Sequence, residues 1–310
     1  MTDVARVAPE VRNRLVVRFG AEVLDWCDEL PALVTELAAR WNLTPVTTGG
    51  GGTSRVFRCL RRDTGASVSS VWLKLTPDPS IAREEAEALR AWADTPSVVN
   101  LLAADLAAGA LLLENVEPGV PARQLTRNVS EVAALLRDLR VPPAAPDQHS
   151  VLRPLSHRID SLFDLTARRL AAARTECLRM TAQARTAALE LADSGPVGLV
   201  HGDLHPANVL SGNLMFGHAL SSPGMRLVAI DPRPAWGDPD FDAVDWALDG
   251  ATDLAALERR IEKLATLVPG LSPRRVLAWC RALAILAAAP RMRTSRDDAQ
   301  TRFLVALARG

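Results

Sequence analysis

The chain has 310 residues, 48% of them hydrophobic, and its 36 Lys+Arg balance 36 Asp+Glu. This describes a globular protein long enough for two lobes and excludes a broad field for nucleic acid or an anionic membrane. Cys27, Cys59, Cys177 and Cys280 form no CxxC pair, which excludes a disulfide framework and a structural zinc site. No signal-peptide core opens the chain, and the most apolar late run, Ala282 to Ala289, is too short for a bilayer, so a cytoplasmic protein is expected.

In chain order, residues 21–41 predict an amphipathic helix, or a helix pair broken near Pro31, with Leu33, Leu37 and Trp41 on one face. A short strand, four glycines (Gly49 to Gly52) and a second strand (Arg55 to Leu60) follow. No Gly-Lys-Ser/Thr follows to make a Walker loop. A dinucleotide fingerprint fails too, because the glycines lead into a strand and no acidic residue follows about twenty positions on. Two readings stay open: a flexible hairpin turn, or a Gly-rich flap whose Gly51, Gly52, Thr53 and Ser54 approach phosphate closely.

Lys74 lies in the strand pattern Ser70 to Leu75. Asp78-Pro79 makes a good helix start, and in that helix Ile81, Glu85, Ala88, Leu89 and Trp92 fall within roughly a 100° arc. Glu85 therefore sits in an apolar stripe and calls for a cation, with Lys74 the nearest candidate. The plainer alternative leaves Lys74 in solvent and Glu85 at the helix edge. Strand-like VVNLLAAD and ALLLENVEPG come next, the latter running from Leu111-Leu112-Leu113 into an extended connector. The expected organisation is an N-terminal lobe over 1–113, a hinge over 114–120 and a mainly helical lobe over 121–310. Residues 120–195 are helical in spacing apart from a Pro-rich link, Val141 to Pro146; His149 and His157 read as surface residues.

The stretch Leu199 to Asp242 carries the chemistry. Asp203, Asn208 and Asp231 hang from apolar runs, where a carboxylate is costly without a partner or a task. An Asp able to accept a hydroxyl proton, with an Asn and a second Asp as oxygen donors, suits phosphoryl transfer through Mg²⁺. His201 and His205 stand four apart, but Pro206 and the missing HExxH glutamate point to a braced loop and away from a metal pair. Asp238, Asp240, Asp242, Asp245, Asp249 and Asp253 crowd the next segment. They read as helix-start caps on a solvated face, or as an acidic wall for a cationic substrate with Asp203, Asp238 and Asp240 as its contacts.

These residues resemble the aminoglycoside phosphotransferases, in the branch of streptomycin 6-kinases and hydroxyurea kinases. The resemblance rests on His201-Gly202-Asp203-Leu204-His205-Pro206-Ala207-Asn208-Val209-Leu210 and on Ala229-Ile230-Asp231-Pro232-Arg233-Pro234, with Gly237-Asp238-Pro239 and Phe241-Asp242. Leu30-Pro31-Ala32-Leu33 and Arg40-Trp41 are similar to that branch as well. It implies an α+β, bilobal, protein-kinase-like fold with an antiparallel sheet lobe, a helical lobe and ATP and Mg²⁺ as cofactors. It implies Asp203 as catalytic base, Asn208 and Asp231 as magnesium ligands, Lys74 braced by Glu85 as the phosphate contact, and Glu114 to Val116 as the adenine hinge. The acceptor expected from it is a small cationic molecule, streptomycin first. Hydroxyurea, another small sugar or amino-alcohol, or a nucleotide-binding pseudokinase role stand as alternatives. The link between Asn208 and Asp231 is longer than the family pattern, and the C-terminal third carries no matching motif.

Overall fold

The computed structural model describes residues 4–50, 53–62, 68–140, 150–169, 175–214, 225–294 and 296–309. Gly51, Gly52, His149 and the Pro-rich link lie outside the described residues, as does most of the long connection before Asp231. The chain divides into two compact units. One comprises Met1–Ala93, Val99–Glu117 and Asn213–Pro223; the other comprises Asp94–Val98, Pro118–Gly212 and Gly224–Gly310.

The first unit is built on a five-stranded antiparallel sheet of β1 (Leu43–Gly50), β2 (Arg55–Arg62), β3 (Val68–Leu75), β4 (Leu101–Asp105) and β5 (Ala110–Glu114), in the order β1-β2-β3-β5-β4. Alternation along β2 and β3 sends Phe57, Cys59, Val71 and Leu73 into a core shared with two N-terminal helices, α1 (Pro9–Phe19) and α2 (Val23–Arg40). Lys74, opposite Val56 and Leu111 in register, belongs to the other face. The break expected near Pro31 is absent: α2 runs unbroken through it. A mid-helix proline forfeits an i→i−4 bond, but here the stripe Cys27, Leu30, Val34 and Leu37 stays buried on both sides of it. The third helix, α3 (Pro79–Ala91), opens as its sequence predicts. Asp78 accepts the Ser80 N–H at 2.9 Å, and Pro79 occupies the first turn.

Most of β6 (Val116–Pro121) and β8 (Val209–Leu214) and all of β9 (Arg226–Ala229) belong to the second unit and form a three-stranded sheet, and β7 (Gly198–Val200) pairs with β10 (Ala235–Gly237). The helices are α4 (Val129–Leu139), α5 (Leu155–Arg169), α6 (Thr175–Asp193), α7 (Val244–Leu248), α8 (Leu254–Leu267), α9 (Pro273–Arg293) and α10 (Ala299–Leu307). Ser272 caps α9, whose Val276, Trp279 and Ile285 are fully buried. No helix among the described residues is long and apolar enough to cross a membrane.

Candidate active site

In the first unit, Lys74 Nζ donates to Glu85 Oε2 at 2.5 Å, with the two side chains only 4% and 1% exposed. The edge position for Glu85 and the solvated position for Lys74 are thereby excluded. A pair this buried is no stability device, because desolvation offsets most of its Coulombic gain. It does hold an ammonium in one place. Thr53 and Ser54 are buried at the entrance to β2, where the Thr53 carbonyl accepts the Thr76 hydroxyl at 3.4 Å. Glu114 ends β5 with its carboxylate on the Asn100 amide at 2.6 Å, and Val116 is buried at the start of β6.

In the second unit the loop from His201 to Asn208 leaves β7 and enters β8. Pairing of Val209 with Ala229 brings Asn208 beside the end of β9, and the Ile230 N–H donates to the Asn208 carbonyl at 2.9 Å. The Arg233 N–H closes onto the His201 carbonyl at 2.8 Å. Gly202 is required here: its φ is +74°, and a Cβ would lie 2.1 Å from the Arg233 carbonyl oxygen. Asp231 adopts φ +55° without being glycine. Strain of this class runs to about 1–3 kcal/mol and collects at functional positions, although Asp tolerates it better than most residues.

The side chains of this loop meet. The Asn208 amide nitrogen donates to both the Asp203 carbonyl and Asp203 Oδ2 at 3.1 Å, which leaves the amide oxygen turned away from Asp203. On its other oxygen, Asp203 Oδ1 accepts Arg158 Nη2 at 3.1 Å, and Arg158 Nε donates to the Gly202 carbonyl at 3.0 Å. The Asp203 side chain remains 30% exposed, so a carboxylate fixed at both oxygens still faces solvent. The oxygens of Asn208 and Asp231 are too few to cage a metal alone. They are the usual protein share for Mg²⁺ that also takes phosphate oxygens.

Behind the loop the chemistry is structural. His201 is fully buried, and its Nδ1 accepts the Asp203 N–H at 3.3 Å; His205 accepts the Ala207 N–H at 3.2 Å. Both rings brace the backbone. Burial holds His201 neutral and lowers its pKa to about 4. Asp242 accepts the His201 and Gly202 N–H groups at 2.7 and 2.9 Å; burial, outweighing those bonds, lifts its pKa to about 7.

The acidic wall is corrected. Asp238 and Asp240 are 0% and 1% exposed. Asp238 accepts Arg275 Nε at 2.7 Å and Trp279 Nε1 at 2.8 Å, while Asp240 pairs with Arg140 and accepts the Ser272 N–H at 3.1 Å. Both carboxylates are buried and engaged within their own unit, so they form no exposed wall. Asp253 caps α8, and Asp249 pairs with Arg127. Asp245 differs: the residue is exposed on α7, yet protein packed around its carboxylate desolvates it and raises its pKa, an effect opposed by His205 and reinforced by Asp203 and Asp249.

Sequence reasoning passed over two residues of this arrangement. Arg158 lies on α5 in a segment read as plain scaffold, and Asp245 was one of six acids in a row.

Residues 40–295 match the family described as aminoglycoside/hydroxyurea antibiotic resistance kinase. A streptomycin 6-kinase of Streptomyces glaucescens is 32% identical over 276 residues, covering 84% of this chain and 82% of that protein. A hydroxyurea phosphotransferase of Kitasatospora aureofaciens is 31% identical over 266 residues, covering 84% and 72%. Among solved structures, a thermostable mutant of aminoglycoside phosphotransferase APH(4)-Ia, in ternary complex with ADP and hygromycin B, superposes with a TM-score of 0.55. That match is at 15% identity and covers 90% of this chain and 98% of that one. The fold is protein-kinase-like, and with a family match of this extent the chain belongs to the aminoglycoside/hydroxyurea antibiotic resistance kinases, which are phosphotransferases.

Proposed function

We propose that this protein transfers the γ-phosphate of ATP to a hydroxyl of a small molecule, with streptomycin the first acceptor to test. The observation that carries this reading is the Asp203 carboxylate, accessible to solvent yet held at both oxygens by Arg158 and Asn208. In this reading Asp203 accepts the acceptor's hydroxyl proton as its oxygen bonds to the γ-phosphorus. The bond from that phosphorus to the β–γ bridging oxygen breaks, and ADP leaves. Asn208 and Asp231 hold Mg²⁺, which when bound neutralises charge developing on the phosphates. Lys74, fixed by Glu85, contacts the α- and β-phosphates, Thr53 and Ser54 approach the same phosphates from the entrance to β2, and the backbone from Glu114 to Val116 meets the adenine. Asp245 takes over the part first given to Asp238 and Asp240. It is the exposed carboxylate within the electrostatic reach of Asp203, placed to pair with a guanidinium or amine on the acceptor.

Hydroxyurea is the second reading. It is favoured by the similarity to a hydroxyurea phosphotransferase and by Arg158, whose charge offsets Asp203 and makes a neutral acceptor equally acceptable. The deciding experiment incubates the protein with Mg²⁺ and γ-labelled ATP against streptomycin, kanamycin, hydroxyurea and simple sugars. Label on streptomycin that falls in Asp245→Asn supports the first reading. Label on hydroxyurea or kanamycin with none on streptomycin overturns it, and tight ATP binding without transfer to any acceptor points to a pseudokinase.

A further inference from the structure

On α5, Leu155, Ile159 and Phe163 are buried to 1% exposure or less, and Arg158 falls within the same stripe at helical spacing. A guanidinium there is costly unless its donors are used, and burial lowers the Arg158 pKa despite the charge of Asp203. Both donors that can be traced go to one loop: Nε to the Gly202 carbonyl at 3.0 Å and Nη2 to Asp203 Oδ1 at 3.1 Å. These acceptors belong to consecutive residues, so one planar group fixes a backbone carbonyl and the neighbouring carboxylate together. The second carboxylate oxygen is held by Asn208 at 3.1 Å. Two holds on two oxygens define the plane and the direction of the carboxylate, whereas Asn208 alone would leave it free to turn about one contact.

We propose that Arg158 is the positioning residue of this site: from α5 it sets the orientation of the Asp203 carboxylate and so the rate of proton acceptance, without touching nucleotide or acceptor. The inference rests on Asp203 acting as the base. It separates geometry from charge. Lysine keeps the charge but cannot span Gly202 and Asp203 with a rigid fork, and methionine keeps only the packing of the stem.

The test measures kcat and both KM values for Arg158→Met, Arg158→Lys, Asp203→Asn and the double variant Asp203→Asn/Arg158→Met. Misplacement of a reacting group by about 1 Å costs on the order of 10²-fold. We therefore expect kcat of Arg158→Met to fall by about that factor, with KM for ATP and acceptor within about threefold of wild type, and Arg158→Lys to lie between the two. Because Arg158 acts through Asp203, the double variant should be no slower than Asp203→Asn alone, which a merely structural loss would not produce. In Arg158→Ala, millimolar guanidinium chloride should restore part of kcat. Arg158→Met, or Arg158→Lys if the former does not fold, turning over at the wild-type rate would overturn the proposal. So would a double variant whose losses simply multiply. If Asp203→Asn itself retains wild-type turnover, it is the assignment of the base that fails.

Discussion

Two sets of acids lie within one stretch of chain and behave oppositely. Asp203 and Asp231 stand in two loops, after β7 and after β9, that leave them partly exposed, one held in a solvent-facing pose and the other at φ +55°. Asp238, Asp240 and Asp242 follow within a dozen residues and are buried, each engaged by N–H groups of distant parts of its own unit. In the first set the free energy of desolvation is avoided and the carboxylates stay available. In the second it is met by hydrogen bonds, and the carboxylates become struts. The buried set shapes the exposed one, because Asp242 holds the backbone of His201 and Gly202 immediately before Asp203.

The contrast can be broken from either side. Asp203→Asn, which keeps the shape but not the base, should lower kcat by about 10²–10⁴-fold while costing less stability than loss of a buried strut, because the amide oxygen can still accept from Arg158. Asp238→Ala should do the reverse. It strips the partner from Arg275 and the Trp279 indole, so denaturant unfolding should show a loss of about 3–5 kcal/mol, with turnover per folded molecule close to wild type.

Asp242→Asn sharpens the comparison through pH. In the native protein Asp242 holds a proton up to about pH 7, while in the unfolded chain it releases it near 3.8. Its protonation therefore stabilises the fold increasingly as pH falls between those values. His201 does the opposite, since the unfolded chain takes up a proton near 6.5 that the native site refuses down to about 4. The two trends offset one another in the wild type. In Asp242→Asn that offset is removed, and chemical denaturation should show the variant losing on the order of 3 kcal/mol more than the wild type between pH 6.5 and pH 4. The variant should also be weaker at neutral pH by about 1–3 kcal/mol, because an amide cannot accept from both N–H groups.

The smallest effect concerns the other unit. Glu85→Gln keeps the volume beside Lys74 but loosens its hold, and KM for ATP should rise roughly fivefold, the worth of about one net hydrogen bond.

Much of this was legible before any coordinates. The pairing of Lys74 with Glu85 could be read because a carboxylate in an apolar helical stripe needs a cation and a strand lysine lay 11 residues away. The same pattern stood on α5, where Arg158 shares the stripe of Leu155 and Ile159. Its acceptor is 45 residues away in sequence, and nothing local pointed to it. The burial of Asp238 and Asp240 is hidden in the sequence for the same reason. Asp238 and Asp240 lie in a short 3-10 turn with no helical period to reveal a buried face, and their partners Arg275, Trp279 and Arg140 are 37, 41 and 100 residues distant. Local periodicity reports burial; it does not report who waits on the other side. Pro31 shows the converse, a strong local breaker overridden by an apolar stripe that packs on both sides of it.

The division between working and structural acids is read out by comparing Asp203→Asn with Asp238→Asn at equal folded concentration, following label from γ-labelled ATP into streptomycin and hydroxyurea. We expect transfer by the wild type and by Asp238→Asn, and a loss of about 10²-fold or more in Asp203→Asn. Equal transfer by Asp203→Asn and the wild type would contradict it.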